Sequence, residues 1–291
     1  MTKEVIILGS NGFIGSRLLK NCSMKTSYEV RGYSREECDL LSLDSINSAL
    51  PSVTSDYVII MTSSITRLKD NTYNSMIKNI AMAENIGRFI KERLVGQFIF
   101  LSTVDVYGFV KSKINEKLPP DPKDYYAISK LTSEFILRKY CSESNIPLLI
   151  LRLSGIYGPG DEGKSTINRL FRSAVEKNKV TIWGDGTDKR DYVYVDDIYK
   201  IINEAIMKKS NRTINVATGR SYSILQIIDM IKSLSLYKFQ VEFRSKASNG
   251  EKRIEDMIFD CSLLMEEFPN LQLTELKEGI SRYISHSLGR V

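Results

Sequence analysis

The apolar run Val5-Ile6-Ile7-Leu8 is followed at once by Gly9-Ser10-Asn11-Gly12-Phe13-Ile14-Gly15, and then by an amphipathic stretch to Lys20. An apolar run of strand length, three evenly spaced glycines and a helical period leave little freedom: strand, tight turn, helix. The first turn of a helix presents unpaired N–H groups and the positive end of the macrodipole, and glycine lets an anion approach that backbone closely. The unit therefore predicts a pyrophosphate cradle, the anion site of a dinucleotide, at Gly9, Asn11, Gly12, Phe13, Ile14 and Gly15. The G-x-x-G-x-x-G spacing is one residue longer in its first gap than G-x-G-x-x-G.

Beyond the loop, strand-length apolar runs alternate with longer segments of helical period. Strands are expected at 5–8, 28–33, 56–61, 97–101 and 148–151, and helices at 13–21, 45–50, 73–92 and 126–145. Such alternation predicts an α/β fold, a Rossmann-like doubly wound parallel sheet with helices on both faces. After Gly158-Pro159-Gly160 the pattern loosens, with helices expected at 166–177, 196–209, 223–234 and 273–287 and short strands at 180–183 and 213–216. The expected division is a dinucleotide-binding domain over 1–157 and a smaller mixed α/β lobe over 158–291, interleaved with it.

Composition narrows the function. With 291 residues the chain buries a substantial core, and 42% apolar with 26% charged residues is ordinary for a globular protein. No apolar run approaches the roughly 20 residues of a membrane span, and the N-terminus leads straight into a strand, so a cytoplasmic protein without a membrane partner is expected. Cys22, Cys38, Cys141 and Cys261 lie far apart, and His286 is the single histidine, which argues against a metal site and a histidine-based triad. The net charge of +6 is spread over scattered lysines, which suits small anionic ligands better than nucleic acid.

The residue ending the second strand of such a fold discriminates between NAD and NADP, because a carboxylate there bonds the ribose and repels a 2′-phosphate. Here the strand ends Arg31-Gly32-Tyr33-Ser34-Arg35. Ser34 can donate a hydrogen bond and Arg35 can meet a phosphate with its planar fork. NADP is thus the expected cofactor, with NAD as the alternative; Asp39 and Leu40 follow where an adenine ring would be held.

Tyr126 and Lys130 stand four apart in Tyr126-Ala127-Ile128-Ser129-Lys130, on one face of a helix. A phenol of pKa about 10 becomes a usable proton-transfer group when an ammonium favours its ionised form. Leu101-Ser102-Thr103 ends the fourth strand, at the carboxyl edge where open α/β sheets bind ligands, and places a hydroxyl at Thr103. Nicotinamide hydride chemistry is the natural partner of this pair, which removes FAD.

These pieces resemble the extended short-chain dehydrogenase/reductases of the nucleotide-sugar epimerase/dehydratase group. The matching stretches are Gly9–Gly15, Leu101–Gly108, Tyr126–Lys130, Arg152–Gly160 and Gly184–Asp197, the last being the most specific. The resemblance implies Thr103, Tyr126 and Lys130 as catalytic residues and Asn79 as a residue near the cofactor. It further implies Arg190 and Arg253 as grips on the substrate pyrophosphate, Asp105 beside the sugar, and a homodimer built on the helices 73–92 and 126–145.

Departures from the family pattern refine this. The dehydratase branch follows its threonine with Asp-Glu, and Val104-Asp105 lacks the acid, so dehydration is not expected. Gly155 stands where many members carry a substrate-binding asparagine, and Met61-Thr62-Ser63-Ser64 replaces His-Leu-Ala-Ala, read as neutral variation. The expected function is an NADPH-dependent 4-ketosugar reductase with Tyr126 as proton donor. The alternative is an NDP-hexose 4-epimerase holding NAD, and a third is a non-catalytic NAD(P)-binding regulator. The stretches 114–123, 161–168 and 180–183 are expected to choose sugar and base.

Overall fold

The computed structural model describes residues 3–25, 28–50, 54, 56–110, 112–161, 165–235, 237–245, 256–287 and 289. The first half runs β1 (Glu4–Leu8), α1 (Phe13–Lys25), β2 (Glu29–Tyr33), α2 (Leu43–Ala49), β3 (Tyr57–Met61), α3 (Tyr73–Lys91), β4 (Gln97–Thr103), a 3-10 turn (Val104–Tyr107), α4 (Tyr125–Glu143) and β5 (Leu148–Leu153). The second half continues β6 (Gly155–Tyr157), α5 (Thr166–Lys177), β7 (Lys179–Trp183), β8 (Lys189–Tyr194), α6 (Val195–Lys208), β9 (Thr213–Val216), β10 (Ser221–Ser223), α7 (Ile224–Leu234), β11 (Gln240–Arg244), α8 (Ser262–Glu267) and α9 (Leu276–Ser287).

Six strands form one parallel sheet in the order β2-β1-β3-β4-β5-β9. The central strands β1, β3, β4 and β5 are buried on both sides, as a sheet covered on both faces requires, whereas the edge strand β2 exposes Glu29 and Arg31. Ile6, Leu8, Ile59, Met61, Phe98 and Phe100 pack under α2, α3 and α4. The alternate residues Val5, Ile7, Val58, Ile60, Ile99 and Leu101 pack under α1, α6 and α8. The chain runs from β1 out to the β2 edge and then crosses back to β3, so the switch point of the sheet lies between β1 and β3, directly beside the glycine loop.

The remainder packs as a smaller lobe. A three-stranded sheet β10-β8-β6 and a two-stranded sheet β11-β7 enclose, with α5, α7 and α9, a core around Tyr157, Phe171, Ile182, Tyr194, Ile228 and Ile280. The chain leaves the main sheet after Leu153 and enters the smaller lobe with β6, but α6, β9 and α8 return to the main sheet, so the lobe is threaded through the first unit. β6, β8, β10 and β11 were not expected from periodicity. They are short or carry polar residues, as in Lys189-Arg190-Asp191, and their pairing comes from distant partners.

Candidate active site

The glycine loop is built as its spacing demands. Gly9 turns at φ +90°, and a Cβ there would lie 2.7 Å from the Ser63 hydroxyl. Gly15 sits so close to the strand end that a Cβ would stand 2.2 Å from the Gly9 carbonyl oxygen. The N–H groups of Gly9 and Ser10 both donate to the Tyr33 carbonyl, at 2.8 and 3.1 Å, tying the loop to the end of β2. Asn11 and Gly12 are exposed, Phe13 and Ile14 half-buried, and the first turn of α1 carries no acidic side chain. The cradle thus fits a dinucleotide pyrophosphate, since no carboxylate of the turn competes with it for the helix N-terminus. Thr62 is not a neutral variation: its hydroxyl donates to the Leu8 and Gly9 carbonyls, at 2.8 and 3.1 Å, and braces the loop from β3.

At the end of β2 the structure adds what the strand sequence lacks. Ser34 is buried, and its N–H donates to Glu37 Oε2 at 2.7 Å. Hydrogen bonds from the Ser34 backbone and hydroxyl hold the Glu37 carboxyl below its usual range, and the Glu36 carboxyl is lowered by its own N–H and then by the same hydroxyl. Arg35 is exposed and pairs at 3.6 Å with Asp39. The absence of a carboxylate therefore holds for the strand end alone; the following turn folds two glutamates onto Ser34. Leu40 turns its side chain into the core beneath α3, and its carbonyl accepts a hydrogen bond from the Asn85 amide at 3.0 Å.

Thr103 ends β4, buried, and its Oγ1 accepts the Asp105 N–H at 3.2 Å, starting the 3-10 turn. α4 begins at the Asp124 cap, whose Oδ1 accepts the Ala127 N–H at 2.8 Å. That cap places Tyr126 in the first turn and Lys130 one turn deeper. Lys130 is buried, donates from Nζ to the Leu101 carbonyl at 2.5 Å and lies 4.5 Å from the Phe100 ring centre. Burial pushes its pKa down to about 7, against the opposing pull of Glu134. Burial, and then the Asp105 and Asp124 carboxylates, raise the Tyr126 phenol, while Arg67 and Ser64 oppose them. The Ser64 hydroxyl oxygen is enclosed and otherwise lacks a hydrogen-bond partner.

The residues expected from the resemblance lie as follows. The Asn79 amide is spent on the Ile65 backbone, accepting its N–H at 2.8 Å and donating to its carbonyl at 3.0 Å, with a further bond to Ser129 Oγ at 3.1 Å. It orders the loop after β3 against α4, beside the cradle. Arg190 opens β8, half-buried, next to Asp191, whose carboxylate accepts the Thr218 N–H and hydroxyl at 2.8 and 3.0 Å. Those bonds bring the start of β8 to the carboxyl edge beyond β9. Arg253 lies outside the described residues; further along the chain Asp256 pairs with Lys189 at 3.6 Å.

A cavity of about 740 Å³ opens in the smaller lobe between α5 and β7, lined by Thr166, Arg169, Trp183, Ile224 and Arg244 among others. It is distinct from the Tyr126 region, since Thr103, Tyr126 and Lys130 do not line it. Arg67 and Glu37 were not singled out in the sequence, and Thr62 and Ser64 were read only as neutral variation, because each acts through partners on other elements or across a turn. Among the described residues no cluster of three metal-ligating side chains occurs, and no helix is long and apolar enough to cross a membrane.

Known proteins are similar to this chain along its whole length. The chain is 25% identical over 310 residues, 97% of each protein, to an uncharacterized UDP-glucose epimerase, YtcB, of Bacillus subtilis. It is 27% identical over 275 residues, 92% of each, to a GDP-6-deoxy-D-talose 4-dehydrogenase of Aggregatibacter actinomycetemcomitans. Among solved structures, UDP-glucose 4-epimerase of Thermotoga maritima superposes with a TM-score of 0.84 at 22% identity, covering 98% of this chain and 99% of that one. UDP-glucuronic acid 4-epimerase of Bacillus cereus, in complex with UDP-glucuronic acid and NAD, gives 0.82 at 24% identity over 99% and 100%. Residues 5–217, from the first strand to the sixth strand of the main sheet, match the model of the NAD dependent epimerase/dehydratase family, and this enzyme belongs to that family.

Proposed function

We propose that the protein is a nucleotide-sugar 4-epimerase that retains NAD. The observation that carries this reading is the turn after β2, where Glu36 and Glu37 close over Ser34. Carboxylates there suit the hydroxyls of an NAD ribose and repel a 2′-phosphate. Gly9, Asn11, Gly12, Phe13, Ile14 and Gly15 would hold the pyrophosphate, with Asp39 and the Leu40 backbone toward the adenine. When bound, NAD supplies a hydride acceptor and donor. Thr103 and Tyr126 would then grip the C4 oxygen of the sugar, Tyr126 exchanging its proton, while Lys130 supports the phenolate. Arg190 and Arg253 are assigned to the substrate diphosphate, a task suited to guanidinium forks. The cation-rich cavity between α5 and β7 is assigned to the nucleotide end of the substrate.

Asp105 and Asp124 flank Tyr126, and both pair with Arg67. Exposed Tyr73, Ile77 and Phe135 on α3 and α4 offer apolar contacts for the homodimer expected on those helices. A second reading, an NADPH-dependent 4-ketosugar reductase, is favoured by the exposed and loosely paired Arg35.

The test is to denature the purified protein, identify the released nucleotide, and incubate the native protein with UDP- and GDP-hexoses without added cofactor. Stoichiometric NAD and interconversion of C4 epimers are expected. Protein free of NAD that consumes NADPH with a 4-ketosugar would replace the epimerase by the reductase.

A further inference from the structure

Arg67 stands in the segment between β3 and α3 and bridges two acids from different elements. Its Nη2 lies 3.0 Å from Asp105 Oδ2, on the 3-10 turn after Thr103, and its Nη1 lies 3.4 Å from Asp124 Oδ2, at the cap of α4. The base of this side chain is well held. Asn79 grips the Ile65 backbone, and the Thr66 carbonyl accepts the N–H groups of Lys69 and Asp70 at 2.9 and 3.0 Å. Asp124 is held independently through Oδ1, by the Ala127 N–H. The groups whose charge or hydrogen bonding acts on the Tyr126 phenol are Asp105 from the 3-10 turn, Asp124 from its own cap, and Arg67 and Ser64 from the segment after β3. Lys130 follows one turn along α4.

We propose that Arg67 is a positioning residue for Tyr126, clamping the Asp105 turn against the N-terminus of α4 and balancing the two carboxylates that face the phenol. The physical case rests on charge and shape. Two carboxylates beside a phenol oppose its ionisation, and a guanidinium among them favours it. A planar fork reaches two carboxylates on separate elements at once, which a lysine ammonium, a point charge, does not. The Arg67 side chain is half exposed; partial burial disfavours its cation, but Asp105 and Asp124 outweigh this and hold its pKa above the usual value, so it remains charged. The proposal rests on Tyr126 as the proton-transfer group.

The experiment replaces Tyr126 by 3,5-difluorotyrosine, a phenol intrinsically more acidic than tyrosine, and follows its ionisation by fluorine NMR in the intact protein as purified. Arg67→Gln is expected to raise the ionisation midpoint by about one pH unit, a tenfold fall in acidity. Arg67→Lys should give a smaller shift, and Arg67→Gln combined with Asp105→Asn should recover at least half of it. In the protein with natural Tyr126, the acid limb of the kcat/KM profile should move in the same direction. A midpoint unmoved in Arg67→Gln overturns the proposal, whether the variant is less stable or not. A rise in KM alone, with profile and midpoint unmoved, also overturns it and makes Arg67 a substrate contact. The NMR titration needs no turnover, so failure of the epimerase reading leaves its outcome interpretable.

Discussion

Arg152 and Glu134 form a forked ion pair inside the protein, with Nη2 2.6 Å from Oε2, Nε 3.0 Å from Oε1, and side chains 6% and 0% exposed. Ser102 donates to Glu134 at 2.5 Å, Arg152 donates to the Tyr107 hydroxyl at 2.8 Å, and that hydroxyl donates to Asn215 at 2.9 Å. The network joins β4, α4, β5 and β9 directly behind Thr103 and Lys130. Removing one partner strands a buried charge, so Glu134→Ala or Arg152→Ala should cost about 3–5 kcal/mol in urea unfolding. Glu134→Leu with Arg152→Met should recover most of that. A double variant as unstable as the singles would show that the network does more than neutralise itself.

Lys130 should be retained for chemistry at a cost in stability. Its pKa is pushed down to about 7 by burial, below the ordinary lysine value. Below pH 7 both folded and unfolded chains carry the proton, and the full penalty of the buried charge is present. Between about pH 7 and 10 the unfolded chain binds more protons, so the penalty fades as pH rises. Lys130→Met should therefore raise Tm relative to the parent more at pH 6 than at pH 9, while turnover falls. An equal Tm difference at both pH values would contradict the depressed value.

Tyr126→Phe removes only the hydroxyl. Turnover should fall by about 10²–10⁴-fold, the range of a lost general acid–base, with Tm and nucleotide-induced stabilisation near those of the parent. Unchanged turnover would remove Tyr126 from the chemistry.

Glu36 and Glu37 should set the cofactor. NAD is expected to raise Tm more than NADP at equal concentration, and Glu36→Gln with Glu37→Gln should narrow or reverse that order by removing the repulsion of a 2′-phosphate. Arg35→Ala should weaken NADP further and leave NAD nearly unchanged. A parent protein stabilised more by NADP would support the reductase reading instead.

Much of the architecture was legible because it is written locally. Alternation such as Val5/Ile7 against Ile6/Leu8 marks a strand covered on both faces, the 9–15 glycines specify a close turn, and the spacing of Tyr126 and Lys130 places both on one helical face. The helix over Thr166–Lys177 and the strand over Thr213–Val216 lie where periodicity puts them. Those features depend on residues a few positions apart, whose relative geometry the backbone dictates.

What only the tertiary structure decided lies between distant residues or hinges on how a turn closes. Nothing in Ile65-Thr66-Arg67 announces that its guanidinium reaches Asp105 and Asp124. Nothing in Glu36-Glu37 says that the turn folds back onto Ser34 and changes the charge of the ribose end. That the second half interleaves with the first was expected, but which segments return to the main sheet, α6 and β9, was not legible. The sequence by itself determined the strand–loop–helix units and the residue types at the sheet's carboxyl edge. Packing decided which charges face Tyr126, because electrostatic interaction follows distance through space rather than separation along the chain.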